Sequence, residues 1–199
     1  MLINLFKEYL NYPLSKKQVD LFAKYYQKLI EYNKHTNLTR ITSLKDVYVK
    51  HFLDSAMLSK LLDFNKIKSM CDMGSGAGFP AIPILILYPE IKMTLVDSQI
   101  KRVTFLNELK KELKLEYTVI HQRAERYSQE NNLKYDLITV RALTELSKSA
   151  FKTLKSKLIE VDKFELPYDL GYRANLLIQK EKHVKGYPRE YSQILKKPL

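Results

Sequence analysis

Residues 71–80, with the sequence CDMGSGAGFP, constrain the fold of this chain more than any other segment. Three of the five glycines in the chain lie here, directly after a short apolar run and shortly before Pro80. Glycine adopts positive φ angles without strain and lets another group come close to the main chain. Proline suits the first turn of a helix, where the backbone N–H groups have no intrahelical acceptor. The segment therefore predicts a strand, a tight turn and then a helix, which is how a parallel α/β unit begins.

Short apolar runs alternate with helix-length segments in the middle of the chain. The predicted strands are residues 68–73, 93–98, 117–122 and 135–140. The predicted helices are residues 80–88, 99–113 and 142–154. This order, β-α-β-α-β-β-α, favours a mostly parallel sheet with helices on both faces. Residues 157–167 and 174–182 flank a turn and predict an antiparallel closing hairpin.

Two helices are predicted before the sheet. Ser15 and Gln18 have the spacing of a capping box, and apolar residues follow them at helical intervals. Ser43 and Asp46 predict the start of a second helix, which continues to about Leu62. The fold class is therefore α/β, with an N-terminal helical extension before the sheet.

The chain of 199 residues is basic, because 34 Lys and Arg residues face 22 Asp and Glu residues and give a net charge of +12. The excess lies in the two flanks, residues 1–60 and 151–199, whereas the middle of the chain is nearly neutral. Such a charge attracts phosphate-rich partners, and plain solubility is the alternative explanation.

Cys71 is the single cysteine, so a disulfide framework and a C-x-x-C zinc site are excluded. No metal site is predicted, and a reducing compartment is favoured. Cys71 lies in an apolar run and is interpreted as a packing residue. No apolar stretch reaches the length of a membrane span. We therefore expect a cytoplasmic protein without a membrane partner.

The spacing of the glycines distinguishes between two kinds of ligand. The dinucleotide pattern is G-x-G-x-x-G, whereas Gly74, Gly76 and Gly78 follow G-x-G-x-G. Asp72 precedes this turn, and Asp97 ends the second strand, where a carboxylate can accept hydrogen bonds from both ribose hydroxyls. This arrangement resembles the S-adenosylmethionine methyltransferases, in which the first acid lies near the amino group of the ligand. A tight turn that binds no ligand is the alternative.

Six blocks of sequence occur in a fixed order over nearly the whole chain. They are NLTRIT (37–42), HFLDS (51–55), CDMGSGAGFPAIPI (71–84), LVDSQIKRVTFL (95–106), VRAL (140–143) and the terminal YPR with KKPL. Together they resemble the bacterial 16S ribosomal RNA guanine-N7 methyltransferases, also called glucose-inhibited division protein B. The resemblance implies a Rossmann-like S-adenosylmethionine-dependent methyltransferase fold, S-adenosylmethionine as the cofactor and a guanine of 16S rRNA as the methyl acceptor.

The resemblance also implies a division of the chain. Residues 1–65 are expected to form an N-terminal helical region, residues 66–185 the methyltransferase core and residues 186–199 a basic C-terminal tail. The expected partner is 16S rRNA or the small ribosomal subunit. We expect the protein to be a monomer.

The glycine pattern and the family motifs together assign cofactor contacts. The residues are Asp72, Gly74, Gly76, Gly78, Phe79, Asp97, Ala124, Glu125 and Arg141. Guanine N7 carries an in-plane lone pair, so no general base is needed and catalysis consists mainly of aligning donor and acceptor. Arg141 is the catalytic candidate, for positioning rather than for proton transfer. An ion pair of Arg141 with Asp136 or Glu145 is the alternative.

The candidates for RNA binding are basic residues that lie mostly in the two flanks. They are Arg40, Lys101, Arg102, Arg189, Lys196 and Lys197. Lys101 and Arg102 are equally explained as the solvated first turn of a helix. His51 and Asp54 share a helix face, either as a local hydrogen-bonded pair or as a surface that orders residues 37–40 beside the cofactor.

The chain departs from the family pattern just before the hairpin. Residues 151–161 run almost directly from a predicted helix into the hairpin, so one strand and its connection are missing by comparison. Two other functions therefore stay open: an S-adenosylmethionine-binding protein that associates with RNA or the ribosome without turnover, and a methyltransferase that acts on a small molecule or a protein. The glycine spacing disfavours a nicotinamide oxidoreductase.

Overall fold

The computed structural model describes residues 2–130, 135–140 and 156–180. Within these ranges, the side chains of residues 125, 128, 129, 156–161 and 172–180 are not described. The predicted helix at 142–154 lies outside the described residues.

Two helices begin the chain, α1 (Asn4–Leu10) and α2 (Lys16–Thr36). The predicted capping box of α2 is confirmed, because the Ser15 Oγ accepts from the Gln18 N–H and the Gln18 side chain accepts from the Ser15 N–H at 2.9 Å. Two backbone donors at the start of the helix are thereby satisfied. The short helix α1 was not predicted, since it is only seven residues long.

The second predicted helix is confirmed as one uninterrupted helical segment over residues 44–60, although it is not a regular α-helix along its whole length. It consists of α3 (Leu44–Val47), a π-helical turn (Tyr48–Leu53), α4 (Asp54–Ala56) and a 3₁₀ turn (Met57–Lys60). The predicted start is confirmed, because the Ser43 Oγ accepts from the Asp46 N–H at 3.1 Å. The π turn buries four of its six side chains, and apolar spacing alone does not distinguish it from an α-helix.

The sheet has four parallel strands in the order β3-β2-β1-β4. The strands are β1 (Ser69–Met73), β2 (Lys92–Asp97), β3 (Thr118–His121) and β4 (Leu137–Val140). The strand order reverses between β1 and β4, because β2 and β3 are added on one side of β1 and β4 is added on the other. Ligands of open α/β sheets bind at the carboxyl ends of the strands beside such a reversal.

Three helices connect these strands, α5 (Ala81–Leu87), α6 (Ile100–Leu113) and α7 (Ala124–Glu130). The predicted order lacked α7, so the predicted direct connection between the third and fourth strands is wrong. Helix α7 has the sequence AERYSQE, in which Tyr127 is the one large apolar side chain and is buried. A helix with so few apolar residues produces no periodic pattern.

The predicted hairpin is confirmed as β5 (Ser156–Glu165) and β6 (Tyr172–Lys180), which pair antiparallel. Within the described residues it forms a two-stranded sheet of its own. Its turn packs against the N-terminal helices, because Leu166 belongs to a buried cluster with Leu5 and Val49. The ammonium of Lys45 lies 4.0 Å from the centre of the Tyr168 ring.

A hydrophobic cluster joins the N-terminal helices to the sheet, because it contains Phe22 and Tyr25 of α2 together with Met70 of β1 and Leu95 of β2. All seven residues of α5 are buried, as their apolar sequence predicts. The division of the chain at residue 65 stays a prediction. Among the described residues, no helix combines the length and the hydropathy that crossing a membrane requires.

Replacing Gly78 and replacing Gly74 by alanine are expected to lower the free energy of unfolding by different amounts. A Cβ atom at Gly78 would lie 2.8 Å from the Ile82 Cγ1 and 2.9 Å from the Tyr25 Oη, at a φ of +95°. We expect Gly78→Ala to lower the free energy of unfolding by about 3 kcal/mol, through overpacking and backbone strain. Gly74→Ala should cost only about 1 kcal/mol, because only its positive φ is unfavourable. Urea unfolding checks this, and equal losses in both variants would contradict it.

Candidate active site

The glycine turn lies where β1 ends, beside the carboxyl end of β2. The Gly74 and Ser75 N–H groups donate to the Val96 carbonyl at 2.8 and 3.1 Å. Gly74 has a φ of +75° and Gly76 a φ of +59°. A Cβ atom at Gly74 would meet no atom within 4 Å, and one at Gly76 would meet only the Gly74 carbonyl oxygen at 3.9 Å. The main chain of these two residues therefore borders open space, whereas Gly78 packs against side chains.

Asp97 ends β2 and fixes this turn. Its side chain is 2% exposed. The Gly76 N–H donates to one carboxylate oxygen at 2.8 Å, and the Gln99 N–H donates to the other at 2.8 Å. The Arg102 guanidinium lies 3.5 Å from the oxygen that Gly76 contacts. A carboxylate has about four acceptor positions, so Asp97 can accept further hydrogen bonds.

Asp72 lies at the other side of the turn, where β1 pairs with β4. It is 1% exposed, and its Oδ1 accepts from the Thr139 hydroxyl at 2.7 Å. Its carbonyl accepts from the Ser75 hydroxyl at 2.9 Å. Sequence reasoning missed Thr139, although its place at the end of the fourth predicted strand was the available signal. The predicted residues Asp72, Gly74, Gly76 and Asp97 are thus brought together at one edge of the sheet.

Phe79 packs inward from the turn, against the N-terminal helices. Its ring is stacked on that of His51, with centroids 4.3 Å apart and an angle of 13°, and on that of Tyr25 at 5.4 Å and 22°. The Tyr25 hydroxyl donates to the Ala77 carbonyl at 2.5 Å. With 8% exposure, Phe79 joins the N-terminal helices to the glycine turn.

A pocket of about 570 Å³ adjoins Asp97 at the carboxyl ends of β2 and β3. Its lining residues are Ser98, Gln99, His121, Gln122, Arg123 and Arg126. The Gln122 N–H donates to the Asp97 carbonyl at 3.1 Å, which holds the two strand ends together. Ala124, one of the predicted cofactor contacts, begins α7 directly after Arg123. The side chain of Glu125 is among those not described.

The predicted RNA contacts are scattered. Arg40 and Lys101 are exposed, whereas Arg102 contacts Asp97 and keeps 34% of its side chain exposed. Arg141, Arg189, Lys196 and Lys197 lie outside the described residues. Among the residues that the structure does describe, no three His, Cys, Asp or Glu side chains are grouped to hold a metal ion.

Asp136 bears on the alternative ion pair of Arg141. The Lys68 and Ser69 N–H groups donate to its carboxylate at 2.9 and 2.8 Å, and these bonds hold its pKa below the usual range. Asp136 therefore binds the backbone at the amino end of β1. Arg141 and Glu145 lie outside the described residues, so the ion pair stays an alternative.

The family model described as rRNA small subunit methyltransferase G matches residues 18–164. The relative named Ribosomal RNA small subunit methyltransferase G from Acholeplasma laidlawii is 48% identical, over 96% of this chain and 96% of the relative. Proteins of the same name from Staphylococcus epidermidis and Bacillus subtilis are 42% and 37% identical, each over 94% of this chain and 92% of the relative.

Two solved structures show a similar fold. MtNAS in complex with MTA and tNA has a TM-score of 0.55 and 14% identity, over 80% of this chain and 71% of that chain. A mutant of MtNAS in complex with S-adenosylmethionine has a TM-score of 0.52 and 15% identity, over 89% of this chain and 76% of that chain. At these identities the likeness concerns the fold alone.

The length of one alignment shows that this chain is shortened relative to a family member, whereas the location of the gap before the hairpin stays a prediction. The alignment with the Acholeplasma laidlawii protein runs over 221 residues, which is more than the 199 residues of this chain. The relative therefore has residues that this chain lacks.

Cys71 provides a test of the interpretation that it is a packing residue. It lies within β1 with 0% exposure, and burial raises the pKa of its thiol to about 12. The thiolate is the reactive form, so we expect iodoacetamide to modify Cys71 at pH 8 on the order of a hundredfold more slowly in the native chain than in urea. Mass spectrometry of the intact protein over time measures both rates. Equal rates would show that Cys71 is accessible and reactive.

Proposed function

The chain belongs to the rRNA small subunit methyltransferase G family, and we propose that it methylates N7 of a guanine in 16S rRNA at the edge where the glycine turn meets Asp97. The observation that carries this placement is the hydrogen bond from the Gly76 N–H to the Asp97 carboxylate. It joins the main chain that borders open space to the acid at the end of the next strand.

The residues at this edge fit S-adenosylmethionine. Gly74 and Gly76 leave room for a ligand against the main chain, because a Cβ atom at Gly74 would meet nothing within 4 Å and one at Gly76 would meet only a backbone oxygen at 3.9 Å. Asp97 retains acceptor positions for the ribose hydroxyls, and Asp72 supplies a carboxylate near the amino group. S-adenosylmethionine, when bound, supplies a methyl group on a positively charged sulfur. The pocket beside Asp97 offers space for the adenine end.

The methyl transfer requires no removal of a proton from the guanine beforehand. Guanine N7 attacks through an in-plane lone pair, so the side chains must hold the base out of its stack and in line with the donor. We assign this positioning to Arg141, which comes directly after Val140, the last residue of β4, in the sequence. Aligning two reactants in this way can supply several kcal/mol of the rate enhancement, on the order of an effective-molarity effect.

The basic flanks supply affinity for the RNA. Arg40 and Lys101 are exposed, and Arg189, Lys196 and Lys197 belong to the basic tail. Arg102 contacts Asp97, so we assign it to the cofactor side of the site. Phosphate contacts of this kind weaken steeply as the salt concentration rises. We further propose that the protein acts as a monomer in the cytoplasm.

Mass spectrometry of 16S rRNA from cells with and without this protein tests the function. We expect one 7-methylguanosine to be lost when the protein is absent and to be restored by purified protein with S-adenosylmethionine. An unchanged rRNA would favour a methyltransferase for a small molecule or a protein. Cofactor binding without methyl transfer would favour a binding protein without turnover.

We expect Asp97→Ala to raise the Kd for S-adenosylmethionine by roughly tenfold to a hundredfold, because each charge-assisted hydrogen bond contributes about 1.5–3 kcal/mol. Isothermal titration calorimetry measures the change. Asp136→Ala is the matched control, since it removes a carboxylate that caps the opposite edge of the same sheet. Equal weakening by both variants would argue against a ligand contact of Asp97.

A double replacement of Lys196 and Lys197 by alanine should weaken rRNA binding and leave cofactor binding unchanged. We expect the slope of log K against log salt to decrease by about two, since each phosphate contact contributes about one. Lys111 and Lys114, which are exposed at the carboxyl end of α6, provide a control pair of equal charge. If the control pair weakens binding as much, net charge rather than the tail determines affinity.

A further inference from the structure

We propose that Thr39 is a positioning residue, whose hydroxyl holds the connection between α2 and α3 against His51 and thereby presents Arg40 to a phosphate of the rRNA. The inference rests on the proposed function and deepens it. It concerns residues 37–43, which connect the end of α2 to the start of α3.

The backbone of this connection is fixed at Thr39 by helix α2. The Asn33 side-chain amide donates to the Thr39 carbonyl at 2.9 Å, and the Asn33 side-chain carbonyl accepts from the Thr39 N–H at 2.9 Å. Both backbone groups of one residue are thus bonded to one side chain. Asn37 turns the chain out of the helix with a φ of 48°.

The Thr39 side chain makes two further contacts. Its hydroxyl lies 3.0 Å from the His51 Nε2, within hydrogen-bond distance, and accepts from the Ile41 N–H at 3.1 Å. The hydroxyl therefore constrains the backbone on the far side of Arg40 and links it to the π-helical turn. Arg40 lies between Thr39, whose N–H and carbonyl are both bonded, and Ile41, whose N–H is bonded.

His51 transmits this placement to the cofactor turn. Its ring is stacked at 4.3 Å on Phe79, which follows Gly78 in the chain. A continuous series of contacts therefore runs from Asn33 through Thr39 and His51 to Phe79. Since Phe79 is buried and packs on two rings, the distance between the connection and the glycine turn is set by well-packed groups.

Arg40 is the group that this arrangement presents. It is exposed, and within residues 2–130, 135–140 and 156–180 it forms no ion pair. A guanidinium recognises the oxygens of a phosphate in a planar, bidentate geometry, so its position matters as well as its charge. A fixed contact to the RNA backbone would set the register of the RNA relative to the methyl donor.

Thr39→Val tests the role of the hydroxyl. The variant keeps the shape and removes both contacts of the oxygen, so we expect the Kd for 16S rRNA and the KM for rRNA to rise about tenfold through misplacement of Arg40. The Kd for S-adenosylmethionine should change less than about twofold. Thr39→Ser retains the hydroxyl and should behave as the wild type. Thr36→Val is the matched control, because the Thr36 hydroxyl donates only to the Tyr32 carbonyl of its own helix.

A double-mutant cycle tests whether Thr39 acts through Arg40. We expect Arg40→Ala to weaken rRNA binding about as much as Thr39→Val, and the double variant to be no weaker than Arg40→Ala alone. Thermal unfolding of each variant shows whether the chain is folded, and rRNA binding is measured by filter binding, which requires no turnover.

Four results would overturn the inference: unchanged rRNA binding by Thr39→Val, equal losses in Thr39→Ser, a parallel loss of cofactor affinity, or additive effects in the cycle. Failure of the proposed function has a different signature. In that case the wild-type chain would transfer no methyl group to rRNA at all.

Discussion

A buried carboxylate that accepts two backbone N–H groups joins the strand ends on which the site depends. Asp97 bonds the Gly76 N–H from the turn after β1 and the Gln99 N–H from the start of its own following segment. Hydrogen bonds to an ionised acceptor are stronger than neutral ones, and burial keeps water from competing for them. The same acid that is proposed to bind the ribose therefore holds the backbone of the glycine turn in place through its bond to the Gly76 N–H.

The N-terminal helices pack directly against the glycine turn. Tyr25 of α2 bonds the Ala77 carbonyl and packs on Phe79, and His51 packs on the same ring. Gly78 permits this packing, because any larger side chain would collide with Tyr25. The three glycines therefore have two roles: Gly74 and Gly76 border the space that is proposed to hold the cofactor, and Gly78 leaves room for the packing of Tyr25 against the turn.

The sequence predicts the elements with strong local signals. The capping box of α2 and the four sheet strands follow from side-chain chemistry and apolar runs, and the structure confirms them. It does not predict α7 or the π turn, because a polar helix lacks periodicity and a π turn shares the apolar spacing of an α-helix. The sequence identifies Asp97, Gly76 and Phe79 as candidates, but it does not predict that Asp97 bonds Gly76 or that Phe79 packs on Tyr25 and His51, because these partners are distant in sequence and meet only in the folded chain.

The most direct measurement is a crystal structure of this chain with S-adenosylhomocysteine bound. The ribose hydroxyls should lie within hydrogen-bond distance of the Asp97 carboxylate, and the amino-acid part of the ligand should lie against the main chain of Gly74 and Gly76, with the Gly76 to Asp97 bond intact. A ligand bound at another edge of the sheet, or one whose ribose makes no contact with Asp97, would contradict the role given to this turn.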